Sequence, residues 1–197
     1  MNLPIAQFLI LVMVLLLVNC RQQAIRDSRP VFDLESLIDD QVCLLTGGDF
    51  ELNKKTVIND SVESFSMMPD SLGWHKELSI FRTADIHKPG LREFYEITLS
   101  ESDGSEFEEY SLTDRTQSET LFLKIKRNKA SDLVQSIEAA QQTNNPIYHS
   151  KRDLYLYFID SGQDTIQLDS FVVKGFQKMV LQDTVSYFTA GKIIEPD

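Results

Sequence analysis

The sequence predicts an α+β fold, in which two N-terminal helices pack on a curved antiparallel β-meander of about seven strands. Three observations lead to this prediction. Apolar residues recur at helical spacing at the start of the domain, they alternate with polar residues from Glu93 onward, and turn signals such as Asp103-Gly104 separate the alternating stretches. Helices followed by successive strands with short turns favour an antiparallel sheet with the helices on one face.

The first predicted helix begins at Asp33, whose side chain is a good N-cap. An apolar stripe at helical spacing follows, and Gly47-Gly48 ends the helix. The stripe consists of Leu34, Leu37, Ile38, Cys43 and Leu45. Because Cys43 falls within this pattern, we expect a small buried hydrophobic residue there rather than a reactive thiol.

A second helix is predicted after Pro69, and it ends before the turn signal at Lys88-Pro89-Gly90. Its residues expected to face the core are Leu72, Trp74, Leu78 and Phe81. Between the two helices, short strand-like stretches flank Asn59-Asp60, and this pattern predicts a hairpin.

The strands of the meander are predicted from apolar residues that alternate with polar ones. The seven stretches lie near residues 95–99, 110–112, 121–126, 133–139, 154–159, 166–176 and 180–188. Their period of two residues places one side-chain face toward the helices and the other toward solvent.

The stretch 154–159 differs from the other strands because both of its faces are apolar. Its odd-numbered residues are Tyr155, Tyr157 and Ile159. Either the strand is central and covered on both sides, or the odd-numbered face lines a groove. In the second case Tyr155, Tyr157 and Ile159 are the candidate residues for binding a ligand or a partner, because a tyrosine ring joins an apolar surface to a polar end.

No motif in the sequence predicts a catalytic, cofactor or metal site, and we therefore expect a non-catalytic protein. His75, His87 and His149 stand at unrelated positions without the spacing of a zinc site. The sequence also lacks a G-x-S-x-G nucleophile motif and a glycine-rich phosphate loop. The alternative is a hydrolase whose carboxylate or histidine site has no recognisable sequence pattern.

Charge restricts the possible partners of the protein. The net charge of −11 argues against a nucleic-acid partner and against a polybasic membrane patch. Five carboxylates fall between Glu101 and Glu109. We expect them to face the basic residues of the stretch 124–127 on the next strand rather than to bind calcium.

The N-terminus carries a different signal, an apolar run from Phe8 to Val18 that ends just before Cys20. A bilayer-spanning helix takes about twenty residues, so this run is typical of a secretory signal. Leu17-Val18-Asn19-Cys20 resembles the lipobox of bacterial lipoproteins. The resemblance implies cleavage before Cys20 and attachment of diacylglycerol to its thiol.

This resemblance divides the chain into three parts. Residues 1–19 are the expected signal peptide, 20–30 the lipidated Cys20 with a flexible tether, and 31–197 a single α+β domain. Two or three acyl chains hold a protein firmly at a membrane. Since Arg21 rather than an aspartate follows Cys20, the resemblance implies the outer membrane, with the domain facing the periplasm.

A second resemblance covers Trp74-His75-Lys76-Glu77-Leu78 and the segment from Ala84 to Pro89. These stretches are similar to the W-K-K-E-L and A-D-I-N-K-P segments of uncharacterised Gram-negative envelope lipoproteins. The similarity implies shared architecture only, since it carries no assigned activity. The alternative interpretation of these stretches is structural, with Trp74, Leu78 and Ile86 anchoring a helix to the sheet. The sequence thus predicts a lipid-anchored module that binds an envelope partner or an apolar ligand, and an accessory subunit of an outer-membrane complex is a third possibility.

Overall fold

A computed structural model describes residues 31–195, and these form two α-helices and one antiparallel sheet. Helix α1 spans Leu34–Thr46 and helix α2 spans Ser71–Arg82. The predicted signal peptide, Cys20 and the tether lie outside the described residues.

The sheet has nine strands in the order β2-β1-β9-β8-β7-β6-β5-β4-β3, and each strand is antiparallel to its neighbours. The strands are β1 Glu51–Ile58, β2 Ser61–Met67, β3 Tyr95–Ser102, β4 Ser105–Leu112, β5 Thr120–Asn128, β6 Val134–Asn144, β7 Tyr148–Gly162, β8 Thr165–Met179 and β9 Val185–Ile194. The predicted α+β class is confirmed.

The strand count of about seven is wrong because the hairpin between the helices belongs to the same sheet. Its two strands, β1 and β2, meet at the predicted Asn59-Asp60 turn. Strand β1 then pairs along its whole length with β9, from Glu51 opposite Ile194 to Ile58 opposite Tyr187. The last strand therefore lies between the hairpin and the other strands of the meander.

Helix α1 begins where the sequence predicts, since the Asp33 carboxylate accepts a 2.8 Å hydrogen bond from the Ser36 N–H. The prediction that Cys43 is buried is wrong. Cys43 is exposed, and its neighbour Val42 occupies the buried face instead. A turn of 3.6 residues places 34, 38, 42 and 45 on one face, and 43 lies on the opposite side of the helix.

Helix α2 buries three of the four residues predicted to face the core, namely Trp74, Leu78 and Phe81. The prediction that the fourth, Leu72, faces the core is wrong, because Leu72 is 76% exposed. Two residues correspond to about 200° around a helix, so Leu72 points away from the side that Trp74 occupies. The Asp70 carboxylate caps the helix through the Gly73 N–H at 2.8 Å.

The last predicted strand, 180–188, is displaced in the structure. Strand β8 continues to Met179, a turn follows, and β9 begins at Val185. Leu181 in this turn is fully exposed, and its φ of +64° lies in the left-handed region. The first half of the stretch 180–188, which has the sequence pattern of a strand, therefore forms a chain reversal.

Both helices pack on one face of the sheet. Phe81 of α2 meets Phe171 of β8 edge to face, with ring centroids 5.7 Å apart. The buried Gln41 side chain of α1 donates to the Ile166 carbonyl at 3.1 Å and accepts from the Leu168 N–H at 2.7 Å. Between residues 31 and 195, neither helix has the length and apolar content needed to cross a bilayer.

Candidate functional site

Strand β7 has one buried and one open face. Leu154, Leu156 and Phe158 are buried on the helix side of the sheet. On the opposite side, Tyr157 is 43% exposed and Ile159 is 45% exposed. The strand is therefore not covered on both sides. We call the sheet face that carries Tyr155, Tyr157 and Ile159 the bare face, because both described helices lie on the other one.

Tyr155 is held in place by a lysine of the neighbouring strand. The Lys174 ammonium lies 5.0 Å from the centroid of the Tyr155 ring, an arrangement that attracts a cation to the negative face of an aromatic ring. The pKa of Lys174 is raised by its hydrogen bond to Tyr155 and by the negative charges of Asp153 and Glu138. Lys174 therefore stays charged above this tyrosine.

A shallow groove of about 580 Å³ crosses the bare face at strands β2, β1, β9 and β8. Strand register defines its two walls as rows of side chains that run across the sheet. One row is Ser66, Asn53, Lys192 and Ser170, and the other is Ser64, Lys55, Ala190 and Val172. The groove lies over the backbone of the intervening row, Phe65, Lys54, Gly191 and Phe171.

The structure brings two of the three predicted binding residues to the inner end of this groove, which is the end at β8 toward the centre of the sheet. Tyr157 lies opposite Ser170 in the register of β7 and β8, and Tyr155 lies opposite Val172. The two tyrosines thus continue the two walls. Ile159 does not take part, because it pairs with Gln167 beyond the register shift that follows Tyr157.

The groove is basic in an acidic protein. Two lysine side chains, Lys55 and Lys192, stand on its walls and its lining contains no aspartate or glutamate, whereas the chain has a net charge of −11. The Lys54 side chain lies on the helix side of the sheet. Lys54 pairs with Glu77 of α2 at 2.5 Å. For Lys55, no carboxylate in the described part of the chain comes within ion-pair distance, so its ammonium faces solvent at the groove.

Lys192 forms an ion pair with Asp169, which lies beside the groove. Burial alone would raise the pKa of Asp169, but hydrogen bonds from Lys192 and from the Ser170 hydroxyl outweigh this effect and lower it. Asp169 is consequently ionised at neutral pH and neutralises part of the charge on Lys192. The wall lysine with an uncompensated charge is Lys55.

The sequence contains no local signal for this groove. Its walls come from β1, β2, β8 and β9, and residues such as Asn53 and Lys192 are far apart in the chain although they are direct neighbours in the sheet. Serine and alanine are common on exposed strands, so they attract no notice as a binding pattern. The one signal in the sequence near this site is the strand 154–159, which is apolar on both faces and adjoins the groove.

The three histidines have different surroundings. His75 lies 3.3 Å from Arg82, and His87 Nδ1 lies 3.3 Å from an Asp33 carboxylate oxygen. The ring of His149 contacts that of Phe176, with centroids 5.3 Å apart. Within residues 31–195, no three His, Cys, Asp or Glu side chains are grouped so that they could hold a metal ion.

Two carboxylates of the acidic stretch 101–109 face the basic stretch 124–127 as predicted. Glu109 of β4 lies 3.3 Å from Lys124 of β5, and Glu106 stands opposite Arg127 in the strand register. Glu101 pairs with Lys129, just beyond the predicted basic stretch. Opposite charges on neighbouring strands contribute about 0.2–1 kcal/mol per pair and favour one register.

No protein-family model, curated protein or solved structure matches this chain. Its class is therefore defined by the fold and the site themselves. Over residues 31–195 it is an α+β protein with a nine-stranded antiparallel sheet, covered by two helices on one face and carrying a basic groove on the other.

Proposed function

We propose that the protein is a non-catalytic, lipid-anchored envelope protein that binds an envelope partner or an apolar ligand on its bare face. The lipobox-like segment that ends at Cys20 supports the anchor. Arg21 after that cysteine supports the outer membrane, with the domain facing the periplasm. Neighbouring strands twist by about 20–25° relative to each other, so a sheet of this width should be curved.

One observation carries the proposed binding role. The exposed side chains of Tyr157 and Ile159 lie together on a sheet face that neither described helix covers. Contiguous apolar patches on soluble proteins tend to mark interaction sites. Tyrosine suits such a site because its ring excludes water while its hydroxyl forms a hydrogen bond.

The binding role is tested with the double variant Tyr155→Asp, Tyr157→Asp in the full chain. Protein purified gently from its native membrane is analysed by mass spectrometry for co-purified proteins and lipids. We expect the wild-type partner or ligand to be lost, since two carboxylates would replace the aromatic rings that the proposed site offers. Leu72→Asp is the matched control, because Leu72 is an exposed apolar residue on α2. An unchanged set of partners and lipids in a folded double variant would refute the surface assignment.

The anchor is tested separately with Cys20→Ser. This variant lacks the thiol that would carry the lipid, so we expect the domain to appear in a soluble or unprocessed form. Metabolic labelling with a fatty acid, followed by mass spectrometry of the N-terminal peptide, measures the modification. Normal lipid labelling of Cys20→Ser would contradict the proposal.

A further inference from the structure

We propose that the groove on the bare face binds the anionic headgroup of a phospholipid, whose acyl chains lie on the apolar side chains beside the groove. This inference rests on the proposed function and deepens it, because it names the apolar ligand as a lipid with a negatively charged head. Four features of the described residues support it: charge, hydrogen-bonding capacity, small wall residues and apolar flanks.

Charge complementarity is the first step. Two lysine side chains, Lys55 and Lys192, and no carboxylates stand on the walls of the groove, and the Lys55 ammonium has no ion-pair partner within residues 31–195. Lys55 lies next to Ala190 in the sheet, and Lys192 lies on the other wall of the same groove. A phosphate between the two walls would meet both ammonium groups. Hydrogen bonds between charged groups are about twice as strong as neutral ones.

The polar side chains of the walls match the remaining oxygens of such a headgroup. Ser64 offers a hydroxyl group as a donor, whereas the Ser66 and Ser170 hydroxyls donate to Asn53 and Asp169. The Asn53 side-chain oxygen accepts a hydrogen bond from the Ser66 hydroxyl, so the Asn53 amide nitrogen is directed to solvent as a donor. Phosphate and glycerol oxygens accept hydrogen bonds from donors of this kind.

Small wall residues keep the groove open along its length. Serine and alanine occupy four of the eight wall positions, so the lysine side chains stand above their neighbours. Gly191 lies between the two walls with its own side-chain position directed at the buried Phe171 ring. The floor between the walls is therefore backbone, because the side chains of the intervening row lie on the helix side of the sheet.

Apolar side chains adjoin the groove on the same face. Val57 is two residues beyond Lys55 on β1, and it stands between Val62 of β2 and Phe188 of β9. Val62 is 58% exposed and Phe188 is 38% exposed. At the inner end, Tyr157 continues one wall. A basic polar strip bordered by apolar strips fits an amphiphile better than it fits a free anion or an acidic peptide.

The experiment uses the full chain, purified in a neutral detergent, and two phospholipids with identical eight-carbon acyl chains. Dioctanoyl phosphatidylglycerol carries a negative headgroup, and dioctanoyl phosphatidylcholine carries no net charge. Equimolar amounts are added, and native mass spectrometry measures the bound lipid. We expect the phosphatidylglycerol adduct to exceed the phosphatidylcholine adduct by about tenfold or more, which corresponds to one charge-assisted hydrogen bond.

Lys55→Gln tests the residue that carries the charge argument. We expect it to weaken phosphatidylglycerol binding about tenfold and to weaken phosphatidylcholine binding less, because the choline ammonium offsets the charge of that lipid's phosphate. Lys178→Gln is the matched control, because Lys178 is an exposed lysine of β8 on the same face but outside the groove. It should change binding less than about twofold, since a distant surface charge is screened by salt.

Several results would overturn this inference. They are equal binding of the two lipids, unchanged phosphatidylglycerol binding by Lys55→Gln, and displacement of the lipid by an equal concentration of inorganic phosphate or hexaglutamate. If one of these occurs while a partner still depends on Tyr155 and Tyr157, the lipid assignment fails and the proposed binding role stands. If the tyrosine variants also retain every partner and lipid, both fail.

Discussion

Asp85 accepts a 3.1 Å hydrogen bond from the backbone N–H of Leu34, and this contact joins the loop after α2 to the first residue of α1. Asp85 is only 4% exposed. The first N–H groups of a helix lack partners within the helix, and a carboxylate near them also complements the helix dipole. Together with the Asp33 cap, Asp85 thus defines where α1 begins and ties that point to α2.

Asp85→Ala should destabilise the protein by about 1–3 kcal/mol, because the Leu34 N–H would stay buried without an acceptor. Urea unfolding followed by circular dichroism measures the free energy of unfolding. Asp40→Ala is the control, since Asp40 is an exposed carboxylate of α1 itself. Equal stability of the two variants would show that the Asp85 contact contributes nothing.

Gly191→Ala should destabilise the protein by about 1–3 kcal/mol through overpacking. A Cβ atom at Gly191 would lie about 2.4 Å from the Phe171 ring, which is itself buried against Phe81. The measurement is again the free energy of unfolding in urea. A variant as stable as the wild type would mean that the Phe171 ring moves aside at no cost.

The double variant Gly191→Ala, Phe171→Leu tests the physical cause of that loss. A smaller side chain at 171 removes the clash, so the two substitutions together should cost less than the sum of their separate effects by about 0.5–3 kcal/mol. Denaturant unfolding of all four proteins in the cycle gives this coupling energy. Additive effects would place the cause of the Gly191→Ala loss somewhere other than the Phe171 ring.

Tyr110 should make the protein lose stability at alkaline pH. Burial, followed by its 2.5 Å hydrogen bond to Glu108, raises the pKa of Tyr110 above its usual range. In the unfolded chain a tyrosine titrates near pH 10, with a pKa of about 10. The folded state therefore holds a proton that the unfolded state releases, and the stabilisation is complete below about pH 10 and is lost as the pH rises further.

Tyr110→Phe should reduce this alkaline loss of stability. Burial also raises the pKa of Tyr95, so part of the loss remains in the variant. At pH 7 the substitution should cost about 1–2 kcal/mol, because the Phe32 N–H loses the Tyr110 oxygen as its acceptor at 3.2 Å. Urea unfolding between pH 7 and about pH 11 measures both effects. The same pH slope in variant and wild type would contradict the assignment.

Cys43 should react with iodoacetamide in the folded protein, because its side chain is exposed on α1. Cys43→Ser should change the free energy of unfolding by less than about 0.5 kcal/mol, as is usual for exposed positions. Ile38→Ala on the buried face of the same helix should cost about 2–5 kcal/mol. Alkylation that requires a denaturant would contradict the exposed position of Cys43.

Features that depend on neighbouring residues were predictable from the sequence. Asp33 caps α1, and the reversals at Asn59-Asp60 and Asp103-Gly104 join strands as predicted. At each of these positions the cap or turn is formed by residues within a few positions in the chain. Within the helices, the two departures are Cys43 and Leu72, apolar residues that lie on the side of the helix opposite the buried stripe.

By itself the sequence determined the α+β class, the number of helices and the alternation of most strands, because local periodicity selects helix or strand. Tertiary structure decided that β1 pairs with β9, which of the two apolar faces of β7 is buried, and that Lys55 and Lys192 line one groove. Strand pairing between distant segments depends on which hydrophobic faces can be buried together. That choice involves the whole domain at once, so no single stretch of the chain contains it.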